Sequence, residues 1–424
     1  MHKSIFLAIF TLFSFTACSF TSLQQEITLP SQNINEHMHN FKTPYRVLPL
    51  TLYENHFKPW KQKNITLSYE QATWGKQYMQ QTMYGMNYQK LSPEWFEEQL
   101  NNANFEAFST LNQKAITIKN SHMRVFPTIL PMFYNPKKIA EGFPFDYNQN
   151  SGIKINTPIM ISHFSKDKAW AFVQSSFANG FIPTSELAFV DDTIIETFNQ
   201  SQYYVAIKDN VSIYKNGIFK ESIKLGTILP KSVLGNFFVV NQHHNLQGYI
   251  QTIEAASNAF ALNALPFTKN NISHVINELI NEPYGWGEAF YKRDCSALTK
   301  DYFAAFGVHL NRNSSQQTQE GKLISLKEFD LQTKKAKIIQ DGIPFKTLLY
   351  LKGHIMLYMG VSQHNEPLAF HNMWGIKTID WLHNEKSVIV GNAAITRLEV
   401  GKELKNFYEN RSLLNKIEAM IIIE

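Results

Sequence analysis

The sequence predicts a multidomain protein with a helical N-terminal segment, a β-rich middle and a C-terminal α+β domain. The chain has 424 residues, which is more than one hydrophobic core usually holds. Residues 44–114 carry helical periodicity, whereas residues 115–262 change to short apolar runs separated by turn residues. From residue 263 onward, helical patterns come first and strand patterns follow, which is typical of an α+β domain.

The composition indicates a globular protein without a strong charge bias. Hydrophobic residues make up 44% of the chain and charged residues 18%, which excludes a disordered chain. The formal net charge is +5, but lysine and arginine are scattered without a dense run. The sequence therefore predicts no nucleic-acid partner, and a weak attraction to an anionic polymer such as a cell wall fits equally well.

Residues 1–18 have the pattern of an export signal. Lys3 gives a short positive region, and the apolar stretch after it is too short to span a bilayer as a helix. The sequence Phe-Thr-Ala-Cys that ends at Cys18 resembles a bacterial lipobox, which implies cleavage before Cys18 and a lipid on its sulfur. An ordinary signal peptide cut nearby is the alternative. We expect an exported protein of the cell envelope, anchored to a membrane through Cys18 and facing the periplasm if the source is Gram-negative.

The next two stretches differ in periodicity. Residues 19–43 are polar and aperiodic, which predicts a tether. Residues 44–114 carry two helical patterns, one over about 69–83 and one that begins at Ser92. Ser92 suits the N-cap position, and the Pro-Glu pair after it suits a first helical turn. The second stretch is therefore predicted to be a small helical domain without chemistry of its own.

The β-rich middle contains two stretches that echo each other. In each, an aromatic-led strand is followed by a glycine turn and a second short strand, at residues 169–183 and 236–251. Two copies suggest a duplicated small β-barrel, with one copy in residues 115–195 and the other in residues 196–262. A single larger β domain is the alternative.

Cys295 is the candidate nucleophile of the C-terminal domain, residues 263–424. The residues after it show one apolar stripe at helical spacing until a glycine ends the run: Leu298, Tyr302, Phe303, Phe306 and Gly307. Cys295 is therefore predicted at a helix N-terminus, where backbone N–H groups favour a thiolate. If Cys18 is lipidated, Cys295 has no disulfide partner within the chain, since these are its two cysteines. A small buried side chain is the alternative.

Two histidines are candidates for the base that a cysteine nucleophile needs. His354 opens a strand-like run, and His371 ends the next one, with a turn at 363–366 between them. An antiparallel hairpin would bring the two rings together if its register allows. Paired histidines could also bind a metal, but a third ligand is needed and no metal motif lies nearby. The sequence predicts no metal and no cofactor.

The order cysteine, histidine and polar residue resembles the papain-like arrangement, and its details are similar to the NlpC-type cell-wall cysteine peptidases. That family has Tyr-x-Trp-Gly-Gly, Asp-Cys-Ser-Gly and Pro-Arg-x-Ser-x-Gln. This chain has Tyr-Gly-Trp-Gly-Glu at 284–288, Asp-Cys-Ser-Ala at 294–297 and Asn-Arg-Asn-Ser-Ser-Gln-Gln at 311–317. A Gly-His-Ile strand start also matches at 353–355. The departures are Glu288, which could alter the cleft rim, together with Ala297 and Asn311.

The resemblance extends to the other domains. Each predicted barrel resembles the bacterial SH3-like domains found beside cell-wall hydrolases, the second more loosely. The implied architecture is an α+β papain-like catalytic domain at the C-terminus, preceded by two small SH3-like β-barrels and a helical N-terminal stabilising segment. The barrels could bind wall polymer, or the first could close one end of the cleft.

The resemblance also implies roles for individual residues. Cys295 would be the nucleophile, His354 its general base and later acid, and His371 the residue that orients His354. The Tyr284 hydroxyl and the Cys295 N–H would hold the oxyanion. Asp294 would pair with a substrate ammonium, and further side chains would contact the substrate: Trp286, Ser296 and Ser314. From the residues alone, Asp294 is also a helix N-cap, the serines are solvated, and Tyr284 and Trp286 are core aromatics.

The implied function is hydrolysis of the bond between γ-D-glutamate and a diamino acid in peptidoglycan stem peptides, with a preference for a free N-terminal L-alanine. The diamino acid could be diaminopimelate or lysine, and the substrate intact wall or released muropeptides. Two alternatives stay open: a catalytically inactive wall-binding scaffold, and an amide or acyl transferase on the same fold.

Overall fold

In a computed structural model of the chain, the structure describes residues 27–42, 48, 50–138, 140–380, 382 and 384–424. The predicted signal peptide and its Cys18 lie outside these residues. Within them, no helix is both long and apolar enough to cross a membrane.

The N-terminal segment consists of short helices: α1 (Leu52–His56), α2 (Lys58–Lys61), α3 (Tyr69–Ala72) and α4 (Pro93–Ala103), with 3-10 helices at Ile34–Asn40, Trp74–Gln80 and Phe105–Ala107. Ser92 caps α4 as predicted, because its hydroxyl accepts a hydrogen bond from the Trp95 N–H. The helix predicted over 69–83 is broken. The hydroxyl of Thr73 bonds to the Tyr69 carbonyl, and the chain continues as a 3-10 helix.

Buried apolar side chains that the structure describes in this segment cluster with those of the first β domain. Tyr78 and Phe96 pack with Phe126 of the first β domain. The Trp60 ring nitrogen donates to the Ala115 carbonyl of the same domain at 2.8 Å. The segment is therefore a brace across its neighbours rather than a separate helical domain.

The predicted tether is wrong for residues 27–42, which pack on the C-terminal domain. Ile34 and Met38 are buried in the core of that domain. The side-chain amide of Gln32 donates to the Ile395 carbonyl and accepts from the Ile395 N–H, both at 2.9 Å. The polar composition of this stretch predicts a solvated chain, but its amide side chains instead form hydrogen bonds with the backbone of a strand.

The first β domain is one antiparallel sheet in the order β3-β2-β6-β5-β4-β1-β7. Its strands are β1 (Gln113–Thr117), β2 (Ser121–Arg124), β3 (Gln149–Ile153), β4 (Pro158–Phe164), β5 (Trp170–Gln174), β6 (Asn179–Pro183) and β7 (Leu187–Phe189). Strands β5 and β6 form the first of the two hairpins that the sequence predicts. A cluster of buried apolar side chains, among them Ile159 and Val173, fills this domain.

Helix α5 (Asp192–Asn199) leads into a second β domain with a two-stranded sheet, β10-β9, and a five-stranded sheet, β13-β12-β11-β8-β14. Its strands are β8 (Gln202–Ala206), β9 (Val211–Lys215), β10 (Ile218–Ile223), β11 (Ile228–Lys231), β12 (Phe237–Gln242), β13 (Gly248–Ile253) and β14 (Phe260–Leu262). The hairpin of β12 and β13 is the second predicted echo. Because its two sheets are separate from the sheet of the first β domain, the middle of the chain is not one large sheet.

The C-terminal domain is α+β, as predicted. Its helices are α6 (Lys269–Leu279), α7 (Cys295–Ala305), α8 (Ser314–Gln317), α9 (Leu331–Asp341) and α10 (Leu413–Lys416). Its antiparallel sheet has the order β15-β20-β16-β17-β18-β19, formed by β15 (Lys322–Ser325), β16 (Thr347–Leu351), β17 (His354–Val361), β18 (Pro367–Ile379), β19 (Glu385–Arg397) and β20 (Ala419–Ile422). Helix α7 packs on the sheet through Leu298 and Phe303, which share a core with Leu357. This packing sets the start of α7 beside the start of β17.

A buried arginine joins the C-terminal domain to the second β domain. The guanidinium of Arg293 contacts Glu282 at 2.9 Å, Asp301 at 2.7 Å and Asp209 of the second β domain at 2.8 Å. Lys154 of the first β domain also pairs with Asp301. Arg293 is 2% exposed, so its ion pairs are shielded from solvent. It lies two residues before Cys295.

Replacing Arg293 with methionine should destabilise the protein strongly. The side chain keeps its volume, but three buried carboxylates lose their shared guanidinium and keep only lysine partners, at a cost of about 3–5 kcal/mol. Arg411 is the matched control, since its ion pair with Glu385 is about two-fifths exposed and is worth about 1 kcal/mol or less. Thermal and urea unfolding of both variants measure the effect. Equal unfolding midpoints for Arg293→Met and Arg411→Met would contradict this account.

Candidate active site

Cys295 is the first residue of α7, as the sequence predicts. Asp294 is the N-cap, and its carboxylate accepts a hydrogen bond from the Ala297 N–H at 2.9 Å. The N–H groups of Ser296 and Ile355 interact with the Cys295 sulfur. Since Ile355 follows His354 at the start of β17, the thiol lies next to the predicted base.

The two histidines meet on the hairpin of β17 and β18. His354 Nε2 lies 2.7 Å from His371 Nδ1, and His371 Nε2 lies 2.8 Å from the Thr396 hydroxyl on β19. When His371 donates Nε2–H to Thr396, its Nδ1 accepts from His354 Nε2–H. That arrangement leaves the His354 Nδ1 lone pair available to accept a proton from the thiol.

Burial makes the neutral forms of both reacting groups the stable ones. Burial and the neighbouring Asp294 raise the pKa of Cys295 to about 12, against the opposing effect of the two N–H groups. Burial also lowers the pKa of His354 to about 4, although Asp294 acts in the opposite direction. The predicted thiolate preference is therefore wrong for the resting site, because burial outweighs the helix N-terminus. The site holds a thiol beside a neutral imidazole.

Cys295 opens into a cleft of about 800 Å³ between the N-terminal segment, the first β domain and the C-terminal domain. The N-terminal segment contributes Trp74 and Tyr78, and the first β domain contributes Tyr147 and Asn179. All of the sequence-predicted substrate and oxyanion residues line this cleft: Tyr284, Trp286, Asp294, Ser296 and Ser314. The structure therefore brings these five residues together in one cavity, and their individual roles stay predictions.

Asp294 is bound on every side by donors. Its carboxylate accepts from the Gly287 N–H at 3.1 Å and from the Arg312 guanidinium at 2.7 and 3.1 Å. The hydroxyl of Ser296 donates to it at 3.1 Å. Burial alone would raise the pKa of Asp294, but Arg312 and these donors outweigh it and lower the pKa. Asp294 is therefore ionised at neutral pH and has the N-cap role that its sequence position also allowed.

Glu288, the departure from the Trp-Gly-Gly motif, belongs to this charge cluster. Its carboxylate pairs with Arg312 at 2.9 Å, and Ser151 of β3 bonds to both. The space for it comes from Gly152, because a Cβ there would lie 2.7 Å from the Glu288 Cβ. Glu288 thus lies below the cleft, against the first β domain, and does not form the cleft rim.

The two predicted aromatics have neighbours of different kinds. Trp286 packs against Phe145 and Tyr147 of the first β domain, with ring centroids 5.2 and 5.4 Å apart. It therefore also packs between domains, as its interpretation as a core aromatic predicted. Burial, followed by the nearby Cys295 and Asp294, raises the pKa of Tyr284 well above its usual range. The Tyr284 hydroxyl is therefore protonated and can donate a hydrogen bond.

Sequence reasoning missed three side chains that hold the site in place. Thr396 fixes the ring of His371, and Arg312 neutralises Asp294 and Glu288. Gln317 donates to the carbonyls of Ser296 and Asn311 at 2.9 and 2.8 Å, which ties α8 to the start of α7. Arg312 and Gln317 lie within the matched motif at 311–317 and could have been found there. Nothing in the local sequence marks Thr396.

Among the residues that the structure describes, no third metal-ligating side chain joins His354 and His371. The interaction between the two rings is a hydrogen bond, and its geometry suits a histidine that orients another.

A cysteine at a helix N-terminus and a histidine on the adjoining strand define a papain-like domain. Three family models match the chain: the NlpC/P60 family at residues 281–384, the N-terminal NlpC/P60 stabilising domain at residues 8–108, and an SH3 domain of the SH3b1 type at residues 131–183. The chain thus carries an NlpC/P60 domain, from a family of cysteine peptidases and peptidoglycan hydrolases, behind its stabilising domain and an SH3b domain. These matches confirm the resemblance. None of the three ranges includes the second β domain, whose likeness to an SH3-like domain stays a prediction.

The architecture is shared with a solved structure of an NlpC/P60 endopeptidase from Photobacterium damselae subsp. piscicida. The two are 24% identical, with a TM-score of 0.83, and the alignment covers 94% of this chain and 99% of that one. At this identity the likeness establishes the fold. An NlpC/P60 family protein from Bacillus cereus is 12% identical over 65% of this chain and 82% of its own, with a TM-score of 0.44. No curated protein matches the chain in sequence.

Replacing Thr396 with valine should lower kcat for peptide hydrolysis about five- to tenfold and leave KM nearly unchanged. Valine keeps the shape but removes the hydrogen bond that fixes the His371 ring and tautomer, which is worth about 1 kcal/mol. Thr396→Ser restores the hydroxyl and should recover most of the rate. Steady-state kinetics and melting temperatures of both variants are the measurements. A Thr396→Val enzyme with the wild-type kcat would rule out the positioning role.

Proposed function

We propose that the protein is an exported cell-wall cysteine endopeptidase that hydrolyses the γ-D-glutamyl–diamino acid bond of peptidoglycan stem peptides and favours a free N-terminal L-alanine. The observation that carries this proposal is the hydrogen-bonded chain from His354 through His371 to Thr396 beside the Cys295 thiol. The thiol itself lines a cleft shared by three domains.

The geometry supports acyl transfer through a thioester. His354 Nδ1 takes the Cys295 proton as the sulfur attacks the scissile carbonyl carbon. The Cys295 N–H at the start of α7 and the protonated Tyr284 hydroxyl would donate to the resulting oxyanion. His354 then protonates the leaving amine, and water activated by the same imidazole releases the acyl group.

The charges next to the thiol suit a cationic substrate group. Asp294 and Glu288 carry negative charge and share the single positive charge of Arg312, so this cluster keeps an excess of one negative charge. Asp294 and Arg312 both line the cleft, and both are largely buried. A free L-alanine amine would approach this uncompensated charge, which supports the proposed preference.

The position of the first β domain supports the proposal that the substrate is a short peptide. Tyr147 and the segment 177–179 line the cleft, and Gly152 lies directly against Glu288 of the C-terminal domain. A domain fixed in this way closes the cleft on one side and leaves little room for a long chain before the scissile bond. Of the two roles considered for this domain, the structure favours closing the cleft over free binding of wall polymer.

The alternatives have less support. An inactive scaffold has no need for the ordered His354–His371–Thr396 chain. Burying these polar groups costs free energy unless every hydrogen bond is made. Amide or acyl transfer would use the same thioester and differ only in the acceptor. Export and the lipid on Cys18 rest on the lipobox-like sequence and are part of the proposal.

The decisive experiment uses L-Ala-γ-D-Glu-diaminopimelate as substrate. The wild-type protein should release the dipeptide L-Ala-γ-D-Glu, and Cys295→Ala should lose at least roughly a thousandfold in rate, because the thioester cannot form. Mass spectrometry of the products measures both, with melting temperatures to show that the variant is folded. If neither this peptide nor intact wall is cleaved by the wild type, the peptidase proposal fails.

Acetylating the alanine amine of the same peptide should raise KM or abolish cleavage. Acetylation removes the positive charge that Asp294 and Glu288 would attract and adds bulk where the first β domain closes the cleft. The comparison of kcat/KM for the free and acetylated peptides is the test. Equal values would show that the enzyme does not recognise the free amine.

The acid limb of the rate profile should lie well below that of an ordinary histidine. Because burial lowers the pKa of His354 to about 4, the base stays neutral from pH 7 down to about 5, and kcat/KM falls only as the pH approaches 4. A profile of kcat/KM between pH 4 and 8 measures this, with circular dichroism at each pH as a control for unfolding. A half-maximal rate near pH 6.5 would contradict the lowered pKa.

A further inference from the structure

The leaving side of the cleft can be located from His354. Under the proposed function, His354 protonates the amine of the diamino acid as it leaves, so this residue lies on the His354 side of the scissile bond. The closest turn to His354 is the tight one between β16 and β17, where Leu351 pairs with His354 and Lys352 and Gly353 form the loop. Gly353 has a φ of +83°, the left-handed conformation that this turn requires.

Lys352 places a positive charge at this turn, on the wall of the cleft. Of the described residues that line the cleft, Arg312 and Lys352 are positively charged. Arg312 is buried and paired with Asp294 and Glu288. Lys352 is exposed and has no hydrogen bond or ion pair within the described part of the chain. The cleft therefore has an excess negative charge beneath the thiol and a positive charge next to the base.

Tyr350 adds an apolar surface on the same side. It lies two residues before Lys352 and, like Lys352, lines the cleft. An aliphatic side chain could lie along the Tyr350 ring, with its polar end at the Lys352 ammonium. The diamino acids of stem peptides have such a side chain. Diaminopimelate ends in a carboxylate and an ammonium, whereas lysine ends in an ammonium alone.

We infer that Lys352 binds the carboxylate at the far end of a diaminopimelate side chain and so makes this protein prefer diaminopimelate over lysine after the scissile bond. The inference rests on the proposed function and names its substrate class. Both side chains end in an ammonium, which Lys352 repels, but only diaminopimelate also carries a carboxylate that Lys352 attracts. The preference therefore comes from this carboxylate, and the ammonium of lysine meets an uncompensated positive charge.

The test compares two peptides that differ at this carboxylate. Both have the sequence L-Ala-γ-D-Glu-X-D-Ala-amide, with X either diaminopimelate or L-lysine, so no other carboxylate follows the scissile bond. The ratio of their kcat/KM values is measured for the wild type, Lys352→Met, Lys352→Arg and Lys220→Met. Lys220 is the matched control, an exposed lysine of the second β domain away from the cleft.

The wild type should prefer the diaminopimelate peptide about fivefold or more, and the preference should shrink as salt is raised. Lys352→Met should remove most of it, whereas Lys352→Arg and Lys220→Met should keep it. An unchanged ratio in Lys352→Met, or an equal loss on both peptides, would overturn the inference while leaving the proposed function intact. Failure of the wild type to cleave either peptide would instead count against the proposed function.

Discussion

The arrangement of this protein depends on the buried side chain of Arg293. Its guanidinium pairs with Asp209 of the second β domain, with Glu282 ahead of α7 and with Asp301 of α7 itself. Its backbone carbonyl accepts from the Gly285 N–H and the Asn372 amide. Gly285 follows Tyr284, and Asn372 follows His371. Arg293 therefore contacts the segments that carry Tyr284, Cys295 and His371, the proposed oxyanion donor, nucleophile and orienting histidine. A distortion of the domain interface would be transmitted directly to the reacting groups.

Arg312, on the other side of Cys295 in the sequence, is a second buried cation that neutralises buried carboxylates. Burying Asp294 and Glu288 without a cation would be costly, and a planar guanidinium can satisfy both carboxylates and still bond to Ser151. The result is an ionised carboxylate next to a neutral thiol. Asp294 opposes thiolate formation and stabilises the imidazolium, so it favours the proton on His354 during acyl transfer while keeping the resting sulfur protonated.

Local patterns in the sequence predicted the parts of the site that local physics determines. The apolar stripe and the Asp294 cap predicted where α7 begins, and the turn at 363–366 predicted the hairpin that joins His354 to His371. Thr396 could not be predicted, because its contact depends on the register of β19 against β18. The thiolate prediction failed for a related reason. The helix N-terminus is visible in sequence, but the burial that outweighs it comes from tertiary packing. The proposed roles of the individual site residues come from the family resemblance, because neither local sequence patterns nor tertiary packing assigns them.

The N-terminal strap of residues 27–42 has a consequence for where the protein can work. Gln32 is attached to the backbone of β19, and Asn40 is attached in the same way to Val361 of β17. Residues 27–29 already contact the C-terminal domain, where the Thr28 N–H donates to the Glu403 carboxylate. If Cys18 carries a lipid, the chain from Cys18 to residue 27 spans roughly 30 Å at most when fully extended. The enzyme would then reach only the layer of wall nearest its own membrane. Peptides would have to come to it, which suits an enzyme of turnover and recycling more than one that opens the outer mesh.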